Sequence, residues 1–413
     1  MERLISFIGL LFFTGIAILL SKNKKKINVR TILAGVAIQF VIALLILKSP
    51  FANNFFSWTT KACAKLLAFS TQGASFVFGP LASFDVLGKS FGPENGFIFA
   101  VSISATIIFV AALIAFLYHI RFMPLLISGV GKVMQKLMGT TGAESTVTAA
   151  NIWYGQTEAP LIIRPYLHKL TTSEFMAMMT AGFGTMAVGV FIVYVRMGIH
   201  PAHLLAASFM GAPAALVMAK ILIPETEKKA NKDDNIKLGD EYHGANFMDS
   251  ICQGAGDGMK MSINIFAMLI AVIALISLFN YGLTHLGSLV HIEGLTMEKI
   301  MGYIFAPVAW LMGIPTCDIL KAGQLIGEKF IINEFIAYMD LAKIQTAMNP
   351  RSAVIITYAL CSFANISSIA IQIGGISTLV PERRKEMAKL AFYGLIGGTL
   401  SCFMMACIAG IIL

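Results

Sequence analysis

The run Gly155-Gln156-Thr157-Glu158-Ala159-Pro160 sets one carboxylate and two hydrogen-bonding neighbours between apolar stretches, Ala149–Tyr154 before it and Leu161–Ile163 after it. At membrane depth such groups are costly in lipid, so they usually line a cavity that binds something. The glycine before and the proline after predict a broken helix, tolerated at that depth only where it faces protein or water. A second carboxylate, Glu334, follows Asn333 inside another apolar stretch, and Asn365 and Ser368 interrupt a third. Capping of a half-helix end is the competing role for either carboxylate. Gln156, Thr157, Asn365 and Ser368 would singly serve as helix–helix glue; together they surround one expected point. Phe363 beside them could stack on a ring or simply pack.

No lysine or arginine belongs to this set, which disfavours an anionic ligand facing two carboxylates. Carboxylates suit a neutral molecule with hydroxyl or N–H donors, and a vicinal diol can donate twice to one carboxylate. Amide side chains suit a heterocycle edge. A nucleoside combines both features, although residue types alone do not separate it from a sugar or an amino acid. Asn151 and Thr185, with carbonyls freed by broken helices, could form a small oxygen cage for a cation such as sodium, by analogy with hard-ion sites. Asn151 as a helix-end cap is the alternative. Neither DxxxD nor HExxH occurs, which argues against a membrane-embedded metalloenzyme. The seven histidines fall at span ends or in loops, and the six cysteines show no CxxC spacing.

Of 413 residues, 57% are hydrophobic and 13% charged, and the mean hydropathy is +0.77. Soluble globular chains carry roughly 25% charged residues, so an all-α integral membrane protein is expected. The net charge of +9 sits in short basic segments between apolar stretches, a positive-inside pattern and not a nucleic-acid stripe. Charge follows the first apolar stretch and does not precede it, so 4–20 reads as a span and not a cleaved signal. Eight spans are predicted, at 4–21, 31–48, 95–119, 172–196, 202–223, 261–281, 352–378 and 388–413. An N-terminus outside then places five basic segments in the cytoplasm. Residues 53–88 are too mixed to cross and predict an interfacial amphipathic helix.

Two stretches, 125–167 and 304–347, read as re-entrant hairpins with polar tips at Gly155–Glu158 and Asn333-Glu334. Each precedes a span interrupted in its middle, at Gly182–Thr185 and at Phe363–Ser368, and then a further span. Entered from opposite sides, the two sets form an inverted repeat, the pattern that points to a midplane site in secondary transporters. The expected organisation is a scaffold at 1–124 and 225–303, the latter a flexible cytoplasmic linker, the sixth span and an external interfacial helix. Transport-domain halves are expected at 125–224 and 304–413.

At these residues the chain resembles the concentrative nucleoside transporter family. The matching segments are Phe76–Gly79, Gly142–Ser145, Asn151 through Tyr166, Ile304 through Gly313, Asn333–Phe335, and Pro350 through Ser368. They run in order along essentially the whole chain. The resemblance implies a homotrimeric inner-membrane nucleoside:cation symporter whose transport domain moves elevator-fashion against a scaffold. It maps nucleobase contacts to Gln156, Thr157, Glu158 and Val190, and ribose contacts to Glu334, Asn365 and Ser368, with Phe363 against the base. It maps a sodium site to the side chains of Asn151 and Thr185 and the carbonyls of Tyr154 and Met186. Thr185 stands where serine is familiar, and Tyr154 is bulkier than the usual aliphatic residue. Sodium is the expected coupling ion because both side-chain oxygens survive, with a proton as the alternative.

Overall fold

Caps and glycines written into the sequence cut its apolar stretches into helices. A computed structural model describes residues 1–48, 52–92, 98–227, 244–289 and 294–413. Helices α1 (Glu2–Leu19) and α2 (Val29–Leu47) flank the basic Lys24–Lys26 turn, and the Asn28 side chain caps α2 by accepting from the Arg30 N–H at 3.0 Å. The 53–88 segment is helical as expected. It forms α3 (Ala52–Phe78), which packs on later helices, and α4 (Phe84–Phe91), separated by a turn at Gly79-Pro80. The third expected span forms α5 (Phe99–His119); its expected start falls at 93–97, outside the described residues.

From α5 onward the chain runs through one sequence of elements twice. The first pass continues with α6 (Phe122–Met138), α7 (Gly142–Ala150), α8 (Ala159–Ile162), α9 (Thr172–Gly184), α10 (Val188–Arg196) and α11 (Pro201–Leu222). The second comprises α12 (Phe247–Leu289), α13 (Met297–Leu311), α14 (Ile319–Ile331), α15 (Glu334–Ile344), α16 (Pro350–Leu360), α17 (Ile366–Ser377) and α18 (Arg384–Ile412). Among the described residues six helices are long and apolar enough to cross a membrane: α1, α2, α5, α11, α12 and α18. The expected fourth and seventh spans are broken, between α9 and α10 and between α16 and α17.

Three boundaries differ from the sequence expectation. The 125–167 stretch is not simply two arms: α6 ends at Gly139, whose φ of 69° is a left-handed helix stop, and α7 begins anew under a capping box of Thr141 and Glu144. The 304–347 stretch likewise opens inside α13, which ends before Gly313 at φ 79°; the hairpin helices proper are α14 and α15. The expected flexible linker is helical from Phe247, and only 228–243, with His243, lies outside the described residues, as does His291. Asn246 and Asp249 start α12 reciprocally, Asn246 Oδ1 accepting from the Asp249 N–H at 3.0 Å and Asp249 Oδ2 from the Ala245 N–H at 2.9 Å. Gly254 and Gly258 then let α12 lie against the backbone of α5. A methyl group on Gly254 would stand 2.7 Å from the Ala111 carbonyl oxygen, and one on Gly258 2.7 Å from Ile108 Cα. Small residues four apart permit such close helix crossings.

The innermost elements are α9, α11 and α18. Beside them a buried ion pair ties the first hairpin to α11: Lys220 Nζ lies 2.5 Å from Glu144 Oε2 and donates to Ser173 Oγ at 3.0 Å. Removing one partner strands the other charge in the interior, at a cost of about 3–5 kcal/mol, whereas replacing both with apolar residues is close to neutral. Lys220→Met is therefore expected to lower the melting temperature of the purified protein, and Lys220→Met/Glu144→Met to recover only part of the loss, because Glu144 also accepts the Thr141 N–H that starts α7. An unchanged melting curve for the single variant would remove this pair from the stability argument.

Candidate functional site

The first hairpin loses regular helical structure after Ala150, where α7 ends, and regains it only at Ala159. The Gly155 N–H donates to Glu158 Oε2 at 2.5 Å, which closes the Trp153–Glu158 loop on itself. Thr157 approaches α17 where Gly375 offers no side chain; a methyl group on Gly375 would stand 3.0 Å from Thr157 Cβ. On the other side Gly182 of α9 would place a methyl group 2.9 Å from Gln156 Cβ. The loop is thus seated between α9 and α17 by two glycines.

The second hairpin and second broken span present helix N-termini. Asn333 caps α15, its Oδ1 accepting from the Ile336 N–H at 3.0 Å, and places Glu334 in the first turn, where the helix dipole favours a carboxylate. Asn365 caps α17, its Oδ1 accepting from the Ser368 N–H at 2.8 Å and the Ser367 hydroxyl at 2.7 Å. The Asn365 amide also donates to Glu334 Oε2 at 2.9 Å, and the Tyr194 hydroxyl lies 3.5 Å from Glu334 Oε1. Asn365 therefore both caps a helix and reaches the carboxylate.

A cavity of about 810 Å³ brings these elements together. Gln156, Thr157, Glu158, Val190, Glu334, Phe363, Asn365 and Ser368 all line it. Gln156 Oε1 is buried without a hydrogen-bond partner, an acceptor left for a ligand. Of the four expected sodium ligands Tyr154 lines the cavity, while Asn151, Thr185 and Met186 are buried. Asn151 donates its amide to the Val147 carbonyl at 2.9 Å, yet its Oδ1 has no partner. The Thr185 hydroxyl donates to the Ala181 carbonyl at 2.8 Å, which leaves its lone pairs to accept. The Val188 N–H donates to the Trp153 carbonyl at 3.3 Å, so the break before α10 is fastened to the hairpin loop. An orphaned amide oxygen beside a helix break fits a monovalent hard cation.

Several lining residues escaped the sequence reading. Ile107 and Ala111 on α5, with Met261, Asn264 and Met268 on α12, build a whole wall. The paired Gly254 and Gly258 were the available signal, since they bring α12 onto α5. The set of polar residues singled out in the sequence contains no lysine, but one borders the cavity that they line. Lys260 lines the cavity beside Asp257, the two 3.3 Å apart and their side chains 79% and 54% exposed. They neutralise one another where the cavity meets solvent, and so leave its interior without a mobile cation. Lys329, buried on α14, does not line the cavity.

Comparison with known proteins adds the family. Residues 203–410 match the model described as the C-terminus of Na+ dependent nucleoside transporters, residues 8–81 the corresponding N-terminus, and residues 100–200 a model described as nucleoside recognition. The chain is 39% identical to the uncharacterized transporter YutK of Bacillus subtilis over 99% of each chain. It is 37% identical to the nucleoside permease NupC of Helicobacter pylori, over 99% of this chain and 98% of that one. Its fold matches CNTnw in an inward-facing substrate-bound state with a TM-score of 0.95 at 38% identity, covering 100% of this chain and 98% of that one. A CNTnw variant in an outward-facing state matches at 0.94, with the same identity and coverage. Fold and cavity together define a multi-pass plasma-membrane transporter, not an enzyme. The chain belongs to the Na+ dependent, concentrative nucleoside transporter family.

Proposed function

We propose that this chain is a nucleoside:cation symporter that imports nucleosides through the cell's inner membrane by elevator-type alternating access. The carrying observation is that the polar tips of both halves, Gln156–Glu158 and Glu334 with Asn365 and Ser368, line one cavity. In this reading Gln156, Thr157 and Glu158 hold the nucleobase edge, with Val190 and Phe363 against its faces. Glu334, Asn365 and Ser368 hold the ribose; Glu334 accepts from the vicinal hydroxyls, and charge-assisted bonds of this kind are the strong ones. Asn151 and Thr185, with the carbonyls of Tyr154 and Met186, hold sodium, and a proton is the other coupling ion to test. A homotrimer provides the fixed scaffold in lipid.

The unpartnered Asn151 oxygen supports a cation site that organises the hairpin loop. Because Tyr154 of the sodium site and Gln156 of the nucleobase site lie on one loop, occupancy of one site favours the other, and the coupling is reciprocal. Entry of one positive charge supplies about 2.3 kcal/mol per 100 mV of membrane potential. Accumulation of labelled uridine by a transport-deficient strain expressing this chain is expected to be competed by unlabelled nucleosides and untouched by amino acids. Competition by amino acids alone would overturn the nucleoside assignment.

A further inference from the structure

We propose that the ammonium of Lys329 is a built-in cation, holding in the second half of the repeat the place that the coupling cation takes in the first. The proposal rests on the symport reading above. In both halves the first hairpin helix packs on the first segment of the broken span, α7 on α9 and α14 on α16. Each broken span ends inside the protein and leaves carbonyl oxygens that no helical N–H satisfies. These ends are negative poles and attract positive charge.

In the first half the residues at the two helix ends are Asn151, the C-cap of α7, and Thr185, the C-cap of α9. Both are neutral, and the Asn151 oxygen has no partner. In the second half Lys329 comes from the last turn of α14, and its Nζ donates to the Ala359 carbonyl in the last turn of α16 at 2.8 Å. The Tyr338 hydroxyl satisfies the Thr357 carbonyl nearby at 2.7 Å. Lys329 is 2% exposed and makes no ion pair within 4.0 Å among the described residues, although its charge acts at longer range on the buried Glu334. A buried ammonium is costly; the carbonyl pole of α16 is the group it touches, and the Glu334 charge adds to the offset at longer range. Being covalent, this charge travels out and back with the carrier and adds nothing to the charge moved per cycle. It also bars a second free cation from that place.

The test uses the full-length protein. In proteoliposomes the wild type is expected to move about one charge per uridine, read from the reversal potential. In Lys329→Gln the vacated carbonyls become free to take sodium, so the Hill coefficient for sodium in uridine binding is expected to rise by about one over wild type. Lys329→Arg, which keeps the charge, is expected to retain the wild-type value. Two charges per uridine in the wild type would overturn the proposal, as would a Lys329→Gln variant that binds uridine with the wild-type sodium curve. Should Lys329→Gln not reach the membrane, the wild-type ratio still decides. Failure of the symport reading looks different: no ion gradient would then drive uridine accumulation by the wild type.

Discussion

Glu334→Gln is expected to abolish uridine uptake while leaving membrane insertion intact. The side chain is 6% exposed, stands in the first turn of α15, and accepts the Asn365 amide at 2.9 Å. An isosteric amide has one acceptor oxygen where the carboxylate has two, and its NH₂ group is a donor. In the variant either that NH₂ opposes the Asn365 amide, or the single oxygen serves Asn365 and the NH₂ turns toward the ribose hydroxyls. Each hydrogen bond to a charged group contributes about 1.5–3 kcal/mol. Two lost toward a diol therefore reduce apparent affinity by at least about a hundredfold, at 1.4 kcal/mol per factor of ten. Insertion is preserved because the substitution removes a buried charge and adds no volume. Uptake at the wild-type rate by a properly inserted Glu334→Gln protein would take Glu334 out of the substrate site. A matching loss in Glu158→Gln is expected on the nucleobase side, where Glu158 likewise spends one oxygen, on the Gly155 N–H.

The second large effect concerns the coupling ion. Asn151→Ala is expected to raise the sodium concentration for half-maximal uridine uptake by about 10- to 100-fold, the loss of one contact to a charge of about 1.5–3 kcal/mol. Uptake at saturating sodium should recover, because the substrate-lining residues are untouched. Thr185→Ala should shift the curve in the same direction, and Thr185→Ser should not. Uptake driven by separately imposed sodium and pH gradients in proteoliposomes is the check. An unaltered sodium curve in both alanine variants, together with uptake that follows the pH gradient, would assign the coupling to protons. The orphaned Asn151 oxygen favours sodium on physical grounds: a buried acceptor with no donor has lost its water without replacement, and a bound cation restores the balance.

Much of the cavity lining was legible in the residues alone. Gly155–Pro160, Asn333-Glu334 and Phe363–Ser368 are polar interruptions in apolar runs, and such interruptions are visible locally because the cost of placing them in lipid depends on composition, not on partners. The two broken spans were legible for the same reason. Helix ends governed by a single residue were harder. Gly139 and Gly313 each stop a helix inside stretches that hydropathy treats as continuous. Glycines do so only when the chain adopts positive φ, which composition does not reveal. The early start of α12 was hidden because Phe247–Lys260 is too polar to read as a span. It is helical because a reciprocal cap begins it and two glycines dock it on α5.

The sequence by itself determined that this is an all-helical membrane protein whose apolar stretches carry polar breaks, and it led to the expectation of two opposed halves. It also determined which side chains at those breaks offer neutral or anionic oxygen. Only the tertiary structure decided that the two breaks share one cavity, that α5 and α12 wall it, and that Lys329 caps the end of α16 while the Asn151 oxygen is left bare. Apolar run length and local interruption are properties of neighbouring residues, so they can be read along the chain. The partner of a buried polar group is chosen by close packing between helices distant in sequence, and that choice exists only once the chain has folded.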